Sequence, residues 1–302
     1  MDNQKAIEIL GLVKNYGQVR ALKGVNLEVN RKEIFGFLGP NGAGKTTAIR
    51  CMLDIIRPQA GSIRILGMNP QEEPEAVKAR VGYLPGELHV DENMTAKQVF
   101  RFLNYLRGNR TDWDFIEELS VRLKLDLSSP IKNFSKGNKQ KVGVVQALMH
   151  KPELLLLDEP TSGLDPLMQQ EVLRMLNEAH NFGSTVFFSS HIISEVQAIA
   201  DRVAIIREGK IVEVAVTTEL LKRSMRKVRI RFQRPTEAEE LNKIPGVELI
   251  AKDDGMGILL QVEGQMDVLI KALAKYPVND FETERSSLEE IFLAYYNGEK
   301  EN

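Results

Sequence analysis

Apolar and polar residues alternate in two different ways along the first part of the chain. Residues 33–38, 154–157 and 185–188 form short, mainly apolar runs, which are typical of strands buried on both faces of a parallel sheet. Between such runs, apolar residues recur at helical spacing, as at positions 49, 52, 53 and 56. Strands that alternate with helices predict an α/β domain with a largely parallel sheet, here over residues 1–216.

The pattern changes near residue 217. From there on, apolar residues alternate with polar ones over short stretches, as expected for strands with one solvent-exposed face. The pattern predicts three strands and two helices, at 228–233, 247–250, 257–262, 266–276 and 286–296. The last helix opens with a capping box at Ser286 to Glu289. We therefore predict a small α+β domain over residues 217–302.

Composition narrows the class of protein. The 302 residues are 43% hydrophobic and 27% charged, with a formal net charge of -2, which is ordinary for a soluble protein and gives no pull toward nucleic acid. Cys51 is the one cysteine, so an internal disulfide is excluded and a reducing compartment is expected. No stretch approaches the ~18 apolar residues of a membrane-spanning helix, and a membrane role would therefore require a partner.

The strongest chemical signal comes directly after the first apolar run. Residues 39–46 read Gly-Pro-Asn-Gly-Ala-Gly-Lys-Thr, which fits the P-loop pattern of glycine, four residues and Gly-Lys-Ser/Thr. Main-chain N–H groups of such a loop surround phosphate oxygens, and the next helix points its positive end at them. We expect Lys45 to add charge for the outer phosphates and Thr46 to offer a hydroxyl to Mg²⁺.

A second apolar run, at 154–157, ends in two carboxylates. Asp158 is placed to hold Mg²⁺, directly or through water. Glu159 is suited to polarise an attacking water, and a positioned general base typically contributes about 10²–10⁴ in rate. A buried strand that ends in two surface acids is common, and only the P-loop on the same chain makes this pair a specific signal.

Further motifs resemble those of the ATP-binding cassette (ABC) ATPases. Residues 134–138, Phe-Ser-Lys-Gly-Asn, resemble the family's signature peptide, and residues 162–165, Ser-Gly-Leu-Asp, resemble its D-loop. His191, after a predicted strand, resembles the switch histidine, and Tyr16 stands where the family has an aromatic that stacks on adenine. With the P-loop and the paired acids, these motifs occur in the family's order over residues 5–215.

The resemblance implies a fold and a mechanism. The fold is α/β, a P-loop NTPase cassette with a mostly parallel sheet, an antiparallel β subdomain and a helical subdomain, followed by the small α+β C-terminal domain. Two cassettes are expected to dock head to tail, each ATP lying between the P-loop of one and the signature of the other. The residues implied for the nucleotide are Tyr16, Gly39, Pro40, Asn41, Gly42, Ala43, Gly44, Lys45, Thr46, Thr47, Ser135 and Gly137. Glu159 and His191 are implied for catalysis, and Thr46 and Asp158 for Mg²⁺.

Two motifs depart from the family pattern. Gly86 stands where the Q-loop glutamine is usual, and Glu87 comes next; which group senses metal and water there stays open. In the signature, Lys136 replaces a glycine and Asn138 replaces a glutamine. Lys136 adds positive charge at a predicted helix start, where it either assists nucleotide binding or contacts a partner.

One cassette with a small trailing domain resembles the ATPase subunits of bacterial drug and antibiotic exporters. This implies ATP hydrolysis that energises a separate integral membrane permease, for export, at the cytoplasmic face of the cell membrane. The chain would act as a homodimer or in a paired cassette, with ATP and Mg²⁺ as cofactors and no nucleic acid. The substrate is not readable, since selectivity belongs to the permease.

Other functions remain as alternatives. A cytosolic cassette protein that acts on ribosomes or DNA is disfavoured, because such relatives usually carry two cassettes or a long coiled coil and this chain has one P-loop and no sustained heptads. A P-loop kinase is disfavoured by the signature and by the acid after Asp158. Residues 222–234 contain seven basic residues, which are read as the solvated face of an edge strand in preference to a site for anionic lipid.

Overall fold

The computed structural model of the chain describes residues 4–222, 226–236, 239–253, 255–262 and 266–285. It divides into two compact units, Met1–Ala215 and Val216–Asn302. The predicted capping box and final helix at 286–296 lie outside the described residues. No helix within the described ranges combines the length and apolar character that crossing a membrane requires.

The first unit contains most of the helices and strands. Its strands are β1 Lys5–Tyr16, β2 Val19–Asn30, β3 Ile34–Leu38, β4 Ala60–Ile65, β5 Val81–Leu84, β6 Leu154–Asp158, β7 Thr185–Ser190, β8 Arg202–Arg207 and β9 Lys210–Val216. Its α-helices are α1 Lys45–Met52, α2 Pro74–Arg80, α3 Ala96–Leu106, α4 Trp113–Arg122, α5 Lys136–Leu148, α6 Pro166–Asn181 and α7 Ile193–Ile199. A short 3₁₀ helix spans Ile131–Asn133.

The central sheet has six strands in the order β5-β6-β7-β3-β8-β9. The pairs β5/β6, β6/β7, β7/β3 and β3/β8 are parallel, and every residue of β3, β6 and β7 is buried. The three apolar runs are therefore interior strands, as predicted. Because parallel strands end at the same edge of a sheet, the segments that come after β3, β6 and β7 are brought together.

A smaller antiparallel sheet, in the order β2-β1-β4, covers part of this core. Side chains of β1 and β2 form one cluster with Phe35 and Phe37 of β3 and Ile49 of α1. Phe187 of β7 lies 5.9 Å from Phe35 and 5.4 Å from Phe37, measured between ring centroids. This packing fixes the position of β3 and α1, between which the P-loop runs.

The helices α3, α4 and α5 make up the helical part of the unit. Thr95 and Gln98 form a capping box at the start of α3, and Asp112 caps α4. Arg122 at the end of α4 forms ion pairs with Glu171 and Glu178 of α6 at 2.7 and 2.6 Å. Burial lowers the pKa of Arg122, but the hydrogen bonds with Glu178 and Glu171 outweigh it and raise that pKa overall.

The parallel sheet, antiparallel sheet and helical part confirm the predicted cassette fold.

The second unit is a four-stranded antiparallel sheet with short helices. Its elements are α8 Thr217–Lys222, β10 Arg226–Phe232, β11 Val247–Asp253, β12 Gly257–Val262, α9 Asp267–Leu273, β13 Val278–Arg285 and a 3₁₀ helix at Glu239–Lys243. The strand order is β11-β12-β10-β13. Apolar residues of β10 and β12 pack on Leu269 and Leu273 of α9, as the alternation predicts.

Two details of this unit differ from the sequence interpretation. The basic stretch around 226–232 is expected at an edge strand, but β10 lies between β12 and β13. The strand β13 is absent from the sequence prediction, since its residues show little apolar alternation. Arg229 and Arg231 are exposed and stand opposite Glu282 and Asp280 of β13. These charges lie on the solvated face of an interior strand, where cross-strand opposite charges contribute roughly 0.2–1 kcal/mol per pair.

His150, just after α5, is a partly buried histidine in an environment that disfavours its protonated form. Its Nε2 lies 3.2 Å from the main-chain oxygen of Val81, and its buried Nδ1 has no hydrogen-bond partner among the described residues. Burial, with a smaller effect from nearby Arg107, lowers the pKa of His150 to about 4. The folded protein therefore holds this ring neutral where the unfolded chain protonates it.

We predict that the free energy of unfolding falls as pH is lowered from about 6.5 to about 4, because the unfolded state binds the extra proton. In the variant H150Q, the loss in free energy of unfolding over this pH range should be smaller by roughly 2 kcal/mol. This figure is below the full value of the pKa shift because His150 is partly exposed to solvent. Denaturant unfolding at several pH values measures it, with H89Q as the control because His89 is exposed. Equal pH slopes for H150Q and H89Q would contradict the assignment.

Candidate active site

The P-loop connects β3 to α1 across residues 39–44. Gly44 precedes the helix with φ 111°, a left-handed conformation that side chains disfavour, and a Cβ there would lie 2.7 Å from the main-chain oxygen of Ala21. Thr46 and Thr47 are half-buried in the first turn of α1. The first four N–H groups of an α-helix have no partner within it, and they carry the positive end of its dipole. The loop therefore presents donors to an anion.

Lys45 is the buried cation of this loop, with a side chain only 4% exposed. Its Nζ donates to the main-chain oxygens of Gly39 at 2.7 Å and Pro40 at 3.1 Å. It also lies 3.3 Å from Oε1 of Glu159. The ammonium group, with three N–H donors, is thus shared between its own loop and the end of β6.

Asp158 ends β6 and is 1% exposed. Its Oδ1 accepts a hydrogen bond of 2.6 Å from the hydroxyl of Ser189, whereas its buried Oδ2 has no partner among the described residues. Gly86 lies beside this oxygen, because a Cβ on Gly86 would be 3.1 Å from it. Burial and the nearby Asp158 raise the pKa of Tyr83, which therefore stays uncharged next to the carboxylate.

Glu159 has an uncommon backbone, with φ 51°, which costs a non-glycine residue roughly 1–2 kcal/mol. Hydrogen bonds hold this conformation from both sides. Its N–H donates to Ser189 Oγ at 3.0 Å and to the Ser189 main-chain oxygen at 3.2 Å, and its own main-chain oxygen accepts from Gln140 Nε2 at 2.9 Å. The strained turn directs the carboxylate away from the sheet and toward the P-loop.

His191 completes this group from the end of β7. Its Nδ1 donates to Glu159 Oε1 at 3.1 Å, and its side chain is 43% exposed. The preceding Ser190 is buried, and its hydroxyl donates to Glu195 of α7 at 2.6 Å. Thr161 also donates to Glu195. The structure therefore brings Lys45, Asp158, Glu159 and His191 to one edge of the sheet, with one carboxylate oxygen shared by a lysine and a histidine.

The signature pair lies elsewhere on the unit. Ser135 is exposed and caps α5, its Oγ accepting from the N–H of Asn138 at 3.2 Å. A Cβ on Gly137 would lie 2.6 Å from the main-chain oxygen of Gly163, so the helix start packs directly on the D-loop. Among the described residues, no hydrogen bond joins Ser135 to the P-loop. Tyr16 ends β1 with its side chain 47% exposed and Lys14 Nζ 5.4 Å from its ring centroid.

Sequence reasoning missed two residues of this site. Ser189 and Gln140 orient the two acids but carry no motif of their own in that reasoning. The signal for Ser189 was a pair of serines, Ser189 and Ser190, directly after the apolar residues of a buried strand. Gln140 offered a polar residue, 5% exposed in the structure, on the buried face of an amphipathic helix. Neither signal identifies the atom that the side chain contacts.

Comparisons with known proteins find relatives of both units. A family model described as ABC transporter matches residues 22–162. A second, described as the C-terminal domain of ATP-binding proteins like DrrA1-3, matches residues 217–296. Both units thus have relatives that occur in ATP-binding proteins.

Curated relatives match over most of the chain. The chain is 37% identical to the bacitracin transport ATP-binding protein BcrA of Enterococcus faecalis, over 72% of this chain and 71% of that protein. It is 31% identical to the daunorubicin/doxorubicin resistance ATP-binding protein DrrA of Streptomyces peucetius, over 96% of this chain and 92% of that protein.

Solved structures of ATP-binding cassettes have the same fold as this chain. The ATP binding subunit of an ABC transporter has a TM-score of 0.64 and 29% identity, over 71% of this chain and 91% of that one. The ATP-binding cassette MJ0796, dimeric and bound to ADP and Pi after hydrolysis, shares the fold with a TM-score of 0.64 at 20% identity, over 70% of this chain and 98% of that one. The chain therefore belongs to the ABC transporter family and is one of its ATP-binding, ATP-hydrolysing subunits.

Proposed function

We propose that residues 39–47 hold the triphosphate of ATP at the edge of the central sheet. The support is the loop's array of main-chain donors together with the buried ammonium of Lys45. Charge-assisted hydrogen bonds of this kind contribute about 1.5–3 kcal/mol each. An outer phosphate that approaches Lys45 competes with Glu159 for the same N–H donor, so binding frees the carboxylate of Glu159 to face the γ-phosphate.

Thr46 and Asp158 are the residues that would hold Mg²⁺. Within the described ranges, no group of three His, Cys, Asp or Glu could bind a metal ion. Magnesium at nucleotide sites needs fewer protein ligands, since it uses one or two carboxylates with phosphate oxygens and water. The buried Oδ2 of Asp158, which lacks a hydrogen-bond donor among the described residues, fits such an ion. When bound, Mg²⁺ would offset the charge of the phosphate oxygens.

The single observation that carries the hydrolytic assignment is the Glu159 carboxylate held between Lys45 and His191, at 3.3 and 3.1 Å. With ATP bound, Glu159 accepts a proton from the attacking water, and the water attacks the γ-phosphorus. The bond between that phosphorus and the bridging oxygen of ADP breaks. His191 orients Glu159 and steadies the γ-phosphate as charge develops on it.

Ser135 and Gly137 serve the nucleotide of a second cassette. Supporting this, Ser135 is exposed at the positive end of the 13-residue helix α5, and its hydrogen bonding is separate from the P-loop of its own chain. Tyr16 stacks on adenine through its exposed ring, which is worth ~0.5–1.5 kcal/mol beyond burial. ABC ATP-binding subunits generally dimerise and pair with membrane permeases, and this chain acts in such a pair.

We infer that the direction of transport is export from the cell. The relatives BcrA and DrrA are named for bacitracin transport and for daunorubicin/doxorubicin resistance, and the match to DrrA extends through both units. We therefore assign the chain to an exporter of drug-like or antibiotic-like molecules. It acts on the cytoplasmic face of the membrane through an integral permease, with ATP and Mg²⁺.

Replacing Lys45 with alanine should weaken ATP binding about 10–100-fold, because the loop loses its charged donor. Calorimetric titration of the full chain with ATP and Mg²⁺ measures the change. The matched control is K78A, since Lys78 is exposed on α2. Wild-type affinity in K45A would contradict the proposed phosphate site.

The variant E159Q tests the role of the carboxylate. It should bind ATP within a few-fold of the wild type, release phosphate at least about 100-fold more slowly, and accumulate as an ATP-bound dimer in gel filtration. E118Q is the control, because Glu118 is 60% exposed on α4. Unchanged phosphate release in E159Q would remove the proposed base.

A further inference from the structure

The side chain of Gln140 connects helix α5 to the turn that carries Glu159. Its amide is nearly buried, with the residue 5% exposed, and its Nε2 donates to the main-chain oxygen of Glu159 at 2.9 Å. The two residues belong to different elements and are 19 positions apart in sequence. A buried amide that donates to one main-chain oxygen restrains that peptide group in position and direction.

The hydrogen bond from Gln140 restrains a residue whose backbone conformation is unfavourable. Glu159 has φ 51°, and its N–H is held by Ser189 of β7. Gln140 holds the opposite side of the same residue, where the main-chain oxygen also accepts from the N–H of Ser162 at 3.1 Å. Besides this bond within the turn itself, hydrogen bonds from two other elements restrain the residue. One of them, β7, is an interior strand of the sheet. The other, α5, is a helix capped by the exposed Ser135.

Helix α5 also contacts the next turn of the chain. Gly137 approaches the main-chain oxygen of Gly163 so closely that a Cβ would lie 2.6 Å from it. Gln140 lies five positions after Ser135, or about 7.5 Å along the helix axis. The start of α5 and the amide that donates to Glu159 therefore belong to one continuous helix.

We propose that Gln140 is a positioning residue that makes the direction of the Glu159 carboxylate depend on the placement of helix α5. When the nucleotide bound to a second cassette contacts Ser135, it fixes the position of α5. Gln140 then orients the carboxylate of Glu159 toward the nucleotide bound to the same chain as Gln140. Each ATP would thereby activate the base of the opposite nucleotide. This inference rests on the proposed roles of Glu159 and Ser135.

The first test is the variant Q140M, which keeps the length of the side chain and removes its donor. In the purified full-length chain, kcat for phosphate release should fall by about tenfold or more, because the base is misaligned. KM and the affinity for ATP should stay within about twofold. The control is Q146M, since Gln146 lies six residues further along the same helix and is half-buried. Equal kcat values for Q140M and the wild type would overturn the proposal.

The variant Q140E separates positioning from mere packing. An ionised carboxylate at this position repels the Glu159 oxygen, whereas a protonated carboxyl donates to it. The ratio of kcat in Q140E to kcat in the wild type should therefore rise as pH is lowered from about 8 to about 5.5, because burial favours the protonated form. The same ratio for Q140M should not change with pH. A flat ratio in both variants would contradict a role for the donor.

A double mutant identifies Glu159 as the residue acted upon. In the E159Q background, adding Q140M should leave the residual single-turnover rate unchanged within about twofold, since the base is already absent. A persistent tenfold loss would show that Gln140 acts through the fold and would overturn the proposal. If E159Q alone bound ATP and released phosphate at the wild-type rate, the proposed function would fail instead, and the two failures are thus distinguishable.

Discussion

The contact between Lys45 and Glu159 is the interaction on which the site depends. It joins the loop after β3 to the turn after β6 across a nearly buried ammonium group. Two strands must end at the same level of the sheet for this contact to form, and β7, which pairs with both, provides that alignment. The charge of Lys45 is compensated by main-chain oxygens and by one carboxylate oxygen. We propose that a phosphate enters by exchange with these partners.

The fold maintains this arrangement although one residue of the site has an unfavourable backbone conformation. Glu159 adopts a backbone conformation that is unfavourable by roughly 1–2 kcal/mol, and strain of this kind is common at functional sites. Ser189 offsets it, since its hydroxyl donates to Asp158 and accepts from the N–H of Glu159. Because β7 is buried along its whole length, Ser189 has little freedom. The packing of Phe187 and its neighbours fixes β7, and Ser189 of that strand in turn positions Asp158 and Glu159.

Much of this could be predicted from the sequence, because its signals are local. The buried strands are indicated by short apolar runs, and the P-loop by eight consecutive residues. The paired acids are indicated by their place directly after the apolar run at 154–157. The shape of the cassette was predicted by resemblance and confirmed. The final helix at 286–296 stays a prediction, and so do the individual roles of the nucleotide-binding and catalytic residues.

The features that the sequence did not predict depend on contacts between distant segments. The interior place of β10 requires β13, whose residues alternate too weakly to be recognised as a strand. The hydrogen bond from Gln140 depends on how α5 packs against the end of β6. The helix also explains why residue 137 is glycine, since the main chain of the D-loop at Gly163 leaves no room for a side chain. A signature motif alone suggests only a phosphate contact at that position.

The most direct test of the account is a crystal structure of the full chain with Mg²⁺ and a non-hydrolysable ATP analogue. The account predicts that Lys45 Nζ leaves Glu159 and contacts the outer phosphates, while the Glu159 carboxylate faces the γ-phosphate and keeps its hydrogen bond with His191. A structure in which the analogue lies in the P-loop and Glu159 remains paired with Lys45, turned away from the γ-phosphate, would contradict it.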